Sequence, residues 1–178
     1  MNDINNKFMS MQPAIYRNNG GTRQNLSVNT ATFVYMGKAP KAFKFCRIAW
    51  GIGTNINSPI SPQELAVMTG PFKFNSATAL KMAGYIDITN RFKTRFNAVL
   101  YSEIMLNRTI FPKEDVWIGI STANLVQAVY ADAVADDIQT GCLQTFSGRI
   151  STNFSSDYKA TTLAANTVIP PYFILNLP

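Results

Sequence analysis

The sequence predicts an all-β fold built as an antiparallel sandwich, and three observations carry that expectation. Apolar residues recur at every second position over Phe96–Leu106 and over Leu80–Ile88, the period of a strand that buries one face. The apolar stretches are short and are punctuated by breakers, among them Gly37 with Pro40, Gly70-Pro71 and Pro170-Pro171, which end strands and form turns. Helical spacing competes with alternation only between Ser121 and Gln139.

Taken in order, residues 1 to 27 are rich in Asn, Gly and Gln, and the Asn18-Asn19-Gly20-Gly21 tract interrupts any helix or central strand. They read as an extended N-terminal arm, whose apolar points Ile4, Phe8, Met9, Met11, Ile15 and Tyr16 are available for contact with another chain or with the arm's own domain. Strand character begins at Leu26, with Val28, Thr30 and Thr32 alternating before Phe33-Val34-Tyr35-Met36. This gives a division into an arm with a lead-in strand over 1–40 and a sandwich over 41–178. Phe45 to Ile52 is apolar on both faces except at Arg47, as expected of a strand covered on two sides. Asn55 to Pro62 contains two Ser-Pro steps, which bias the residues before proline away from helix, so Leu65 to Met68 is a brief strand.

Leu80, Met82, Gly84, Ile86 and Ile88 form one face of the next strand, with a wet side opposite, and a turn follows from Asn90 to Thr94. Phe96, Ala98, Leu100, Ile104 and Leu106 then share a face broken only by Ser102. That strand needs a partner, supplied after the breaker cluster Phe111 to Asp115 by Val116, Ile118 and Ile120, with Trp117 on the opposite face and Gly119 leaving room beside it. The pair forms the heart of the sandwich, and Leu100, Ile104, Val116, Ile118, Ile48 and Ile86 are the expected core. Val126, Ala128 and Tyr130 favour a strand and then a loop or short helix within Ser121 to Gln139. Gly141 opens a strand through Phe146 that turns at Ser147-Gly148. Phe154 to Lys159 is a loop, and Tyr172 to Leu175 is a terminal strand.

At least eight short strands with almost no helix describe an antiparallel sandwich or jelly roll. The succession Trp50-Gly51-Ile52, Glu64 to Gly70, Leu80 to Tyr85, Asp115 to Ile120 and Asp136 to Gly141 resembles the jelly-roll domains of bacteriophage virion structural proteins, capsid and tail-fibre types among them. The resemblance spans roughly residues 43 to 148. It implies a jelly-roll-like β-sandwich, a virion setting with synthesis in the host cytoplasm, other virion subunits as partners, and a homo-oligomer with a trimer as the favoured form. It carries over no catalytic or binding residue.

Composition bounds the function. At 178 residues the chain suits one domain with an appendage and buries about two-thirds of its unfolded surface without disulfides. No apolar run approaches the roughly 18 to 20 residues of a membrane span, and the start MNDINNKF lacks a signal-peptide core. Cys46 and Cys142 lie in strand-like stretches far apart and read as buried free thiols. Residues 1 to 50 hold Lys7, Arg17, Arg23, Lys38, Lys41, Lys44 and Arg47 against Asp3 alone, so the whole net charge of +6 sits there. A basic segment on a neutral body fits an acidic counter-surface, or else an evenly solvated face. The assembly contacts expected from the arm are Ile4, Phe8, Met11, Ile15, Tyr16, Arg17 and Arg23.

The absence of histidine removes Ser-His and Cys-His catalysis and imidazole metal ligation. No phosphate-cradling glycine motif is present, since Gly51-Ile52-Gly53 lacks a third glycine and a following helix. Glu114-Asp115 is the one adjacent carboxylate pair with catalytic appeal, but strand neighbours point to opposite faces, and a solvated turn is the expectation. Asp132, Asp136 and Asp137 lack the ligand alternation of a calcium loop. Trp50 and Trp117 are the candidate stacking platforms for a sugar, with burial as the alternative. The expectation is a non-enzymatic virion structural protein with no cofactor, no metal, no membrane and no nucleic-acid partner. The alternatives are a β-sandwich module binding a host glycan and a jelly-roll coat protein with a genome-binding arm.

Overall fold

The computed structural model describes residues 9–11, 22–25, 30–52, 63–72, 79–94, 98–122, 128–131, 145–149, 162–163 and 173–178. The strands are β1 (Met9–Met11), β2 (Thr22–Asn25), β3 (Thr30–Lys38), β4 (Phe43–Ile52), β5 (Gln63–Thr69), β6 (Lys81–Asp87), β7 (Ala98–Ile110), β8 (Asp115–Thr122), β9 (Ala128–Ala131), β10 (Thr145–Arg149), β11 (Thr162–Leu163) and β12 (Phe173–Leu177), with one short helix, α1 (Thr89–Thr94). A four-stranded sheet in the order β1-β12-β4-β7 lies opposite a six-stranded sheet in the order β11-β10-β3-β8-β5-β6, and β2 pairs with β9 in a separate ribbon. Every pairing is antiparallel. A β-sandwich is therefore the fold.

Alternation decides what fills the space between the sheets. From one side come Cys46, Ile48 and Trp50 of β4, Ile104 and Leu106 of β7, and Phe173, Leu175 and Leu177 of β12. From the other come Val34 and Met36, Leu65 and Val67, and Val116, Ile118 and Ile120. Full burial of each such side chain contributes roughly 1.5 to 3 kcal/mol before the cost of ordering it. Four of the six expected core residues are buried outright, while Leu100 and Ile86 pack against the core half-buried.

The strands on either side of the Phe111–Asp115 break do not pair with each other. β7 bonds to β4, and β8 lies between β3 and β5, so the break carries the chain from one sheet to the other. The two strands face across the core rather than sharing a ladder. Both faces of β8 are buried, because the far side of the six-stranded sheet holds a second apolar cluster: Phe33, Ala66, Met68, Leu80 and Trp117, with Tyr35, Phe72 and Met82 against it. Gly119 lies in register between Phe33 and Ala66, the room the sequence assigned to it.

Several local expectations change. The stretch from Asn90 to Thr94 is helical, entered through the Asp87 carboxylate, which accepts from the Thr89 N–H at 2.7 Å, and the Thr89 hydroxyl accepts in turn from the Gln63 N–H at 2.8 Å. β10 runs through Ser147-Gly148, which stay in register with Thr32 and Ala31 instead of turning. Ala83 is buried on the side of β6 expected to be wet, at a register shift against β5. At the β3–β8 bulge Met36 is the extra residue, and the next position, Gly37, has φ of 106°, a region open to glycine without steric cost.

The N-terminal segment is not wholly a free arm. β1 adds to the four-stranded sheet beside β12, with Met9, Ser10 and Met11 opposite Leu177, Asn176 and Leu175. Met11 is buried in the chain's own core, which is the outcome for one of the expected assembly contacts. β2 likewise pairs within the chain, placing Arg23 opposite Tyr130. Ile4, Phe8, Ile15, Tyr16 and Arg17 lie outside the described residues, as do Cys142, Asp132, Asp136, Asp137 and the loop from Phe154 to Lys159.

Candidate functional site

Both tryptophans are fully buried, so neither is a stacking platform. Trp50 points into the core and donates its Nε1–H to the Ser102 hydroxyl at 3.0 Å. The one polar break in the β7 row is thus the acceptor that a buried indole requires. Trp117 donates to the Gly70 carbonyl at 2.9 Å and meets Tyr35, which stacks on Phe72 at 4.3 Å between ring centroids. Cys46 is buried and free, with its thiol pushed up to about 12 by desolvation, far from a reactive thiolate.

Glu114 and Asp115 are occupied rather than solvated. Phe111 to Glu114 form a type II turn, with Pro112 at its second position, Lys113 at φ of 71° in the third, and the Glu114 N–H donating to the Phe111 carbonyl at 3.2 Å. Glu114 accepts two bonds from Arg108, at 2.6 and 3.1 Å, and one from the Phe111 N–H at 2.8 Å; Arg108 also reaches the Thr69 hydroxyl at 2.7 Å. The Arg108 hydrogen bonds hold the Glu114 carboxyl below its ordinary value. Asp115 accepts from Tyr35 at 2.6 Å, Lys38 at 3.0 Å and the Phe72 N–H at 3.1 Å. Burial works to raise its carboxyl, but those donors outweigh burial and leave it lowered, while desolvation, then the bond to Asp115, raises the Tyr35 phenol. The two carboxylates thus bind together the crossover between sheets, each in its own network. Among the described residues no group of three or more Cys, Asp or Glu is placed to hold a metal ion.

The basic front of the chain is partly neutralised internally. Lys38 pairs with Asp115 and Arg47 with Glu103, and Lys41 donates to the terminal carbonyl oxygen of Pro178.

On the outer side of the four-stranded sheet the row along β7 is exposed, while the outward positions of β4 beside it are half-buried at Phe45 and Arg47 and buried at Ala49 and Gly51. Along β7 the outward positions Val99, Tyr101, Glu103 and Met105 are all exposed, the two largest apolar ones at 60% for Tyr101 and 66% for Met105. Their register partners on β4 are Gly51, Ala49, Arg47 and Phe45. Arg47 donates from Nε and Nη2 to Oε1 of Glu103 at 3.1 and 2.6 Å, setting an ion pair amid apolar neighbours. Beside this face, where β7 meets the end of β6 and α1, Arg47, Asp87, Arg91, Tyr101 and Glu103 rim a groove of about 470 Å³ floored by Ile86, Ile88 and Ser102. At Gly84 β6 comes close to β7, where an added Cβ would lie 3.1 Å from the Met105 carbonyl oxygen.

Sequence reasoning missed Tyr101 and Met105 as a surface, although they alternate with Leu100, Ile104 and Leu106. The signal was present in the parity of β7: if the even positions are inside, the odd ones face outward, and three of those are large and apolar. Among the described residues no helix is long and apolar enough to cross a membrane. Comparison with family models, with curated proteins and with solved structures found no match to this chain.

Proposed function

We propose that the chain is a non-enzymatic structural protein of a virion, a jelly-roll-like sandwich that serves as a capsid-fibre, decoration or tail component and joins other subunits through its sheet surface and N-terminal segment. The observation that carries this reading is the outward row Val99, Tyr101, Met105 on β7, apolar side chains that a sheet face presents for burial against another surface. The occupied state of Glu114 and Asp115 supports a structural role for the most tempting acidic pair. The jelly-roll form is supported by the chain's repeated passage between sheets, from β3 to β4, β4 to β5, β6 to β7 and β7 to β8. The sequence resemblance agrees with it, since four of its five motifs fall on β4, β5, β6 and β8. Electron microscopy of particles carrying the tagged chain tests the proposal: label at regular positions on shell, fibre or tail is expected, and particles free of label would reject it.

A second reading, a carbohydrate-binding module, is favoured by the groove at Tyr101, where an exposed ring stands beside Arg47, Asp87, Arg91 and Glu103. A glycan array checks it through saturable binding that Tyr101→Ala removes.

A further inference from the structure

We infer that two copies of this chain pack face to face through the outer surface of β4 and β7, Arg47 of each copy meeting Glu103 of the other. This rests on the reading of the chain as an assembling structural protein and names the surface and its occupant.

The face is self-complementary along its register. Four register pairs run along the face: Phe45 with Met105, Arg47 with Glu103, Ala49 with Tyr101, and Gly51 with Val99. A two-fold axis parallel to the strands and lying between β4 and β7 keeps each residue's position along the strands and exchanges the two strands. It therefore lays β4 of one copy over β7 of the other. Each Arg47 then faces a Glu103, so the charges match in both halves of the contact. The sizes match as well. The exposed Tyr101 falls over Ala49, which is buried between Tyr101 and Ile174 in the register of the three strands, and Val99 falls over Gly51. Met105 meets Phe45, apolar against half-buried apolar. Large on β7 against small on β4 at the Ala49 and Gly51 pairs, with cation against anion at Arg47 and Glu103, is the pattern that an isologous contact requires of one patch. Sheets stacked face to face stand about 10 Å apart with strands tilted by about 30°, so the central Arg47–Glu103 and Ala49–Tyr101 pairs align best. Within one copy the ion pair is exposed and its value is small. A second copy shields it and turns each residue toward two partners.

Charge reversal with mixing tests the contact. The full chain, Arg47→Glu, Glu103→Arg and an equimolar mixture of the two variants are compared by sedimentation velocity, with circular dichroism to verify the fold. The wild type is expected to be a dimer or an even-numbered assembly. Each variant alone should dissociate at least tenfold more readily, because like charges then face each other. The mixture should recover the association, because an anionic face meets a cationic one. Tyr101→Glu provides an independent disruption that mixing with Arg47→Glu does not repair. A wild-type chain that stays monomeric overturns the pairing, as does a monomer whose Tyr101 groove binds glycan. A chain that associates with equal strength in every variant overturns this surface while leaving self-association intact. The particle micrograph decides the structural reading separately from either result.

Discussion

At the scale of single residues, the Trp50–Ser102 bond pairs two polar groups inside the core. The indole is fully buried, so removing its acceptor leaves a desolvated N–H, whose cost is about 1 to 3 kcal/mol. Ser102→Ala is therefore expected to destabilise the chain by that amount in urea unfolding. Trp50→Phe in the same background should recover part of the loss, a coupling that a double-mutant cycle measures. An apolar core position behaves differently. Ile118 has no exposure and sits between the sheets, and Ile118→Ala should cost roughly 2 to 5 kcal/mol through lost burial and the cavity left behind. A melting temperature within a degree of the wild type would reject that placement. Gly84→Ala is expected to loosen β6 from β7, since the added carbon meets Leu106, Ile104 and a backbone oxygen at 3.0 to 3.2 Å.

At the scale of elements, the β7–β8 turn is held by charge, and this gives it a pH dependence with a defined sign. Glu114 and Asp115 both have lowered carboxyl values in the folded chain, so the unfolded chain takes up their protons more readily. Their contribution is fully present above the unfolded values of about 4 and is lost as pH falls through the folded ones. The stability gap between wild type and Glu114→Gln, or Asp115→Asn, should hold steady from neutral pH to about pH 5 and shrink below pH 4. Thermal melts across that range check it. Because Arg108 and Glu114 are partly open to water, the gap at neutral pH is expected to be modest, about 1 to 2 kcal/mol. The tip of the turn was readable in part: Pro112 marks it, whereas nothing in the sequence says that Lys113 takes the left-handed conformation. That follows from the path set by Ala39, whose N–H and carbonyl bond to the Glu114 carbonyl and the Lys113 N–H at 2.8 Å each.

At the scale of the whole molecule, the N-terminal segment is tied to the fold by β1. Removing residues 2 to 24 takes Met11 out of the core and strips β12 of its outer neighbour. The truncated chain is expected to keep strand-type circular dichroism but to melt several degrees below the full chain, because the central strands β4, β7, β3, β8 and β5 pair independently of it. A truncated chain that melts with the full one would show that the β1–β12 pairing adds nothing to stability.

The sequence by itself determined the strand class and the inward faces. Period-two alternation in β7 and the breakers at Gly70 and Pro71 act locally, within reach of a few residues, and the fold preserves them, whereas β3 runs through Gly37 to Lys38 and the face of β6 shifts at Ala83. Which strand pairs with which was decided only in three dimensions. Ladder partners such as β3 with β8, or β12 with β4, are far apart in the chain, and alternation looks the same whether a neighbour bonds to a strand or faces it across the core. The same reason explains the candidate surface. Tyr101 and Met105 are outward by parity alone, but that one side of β7 is left open while the outer side of β8 lies under Phe72 and Leu80 depends on which loops fold back over which sheet. A local pattern fixes the direction of a side chain, and tertiary packing fixes whether anything covers it.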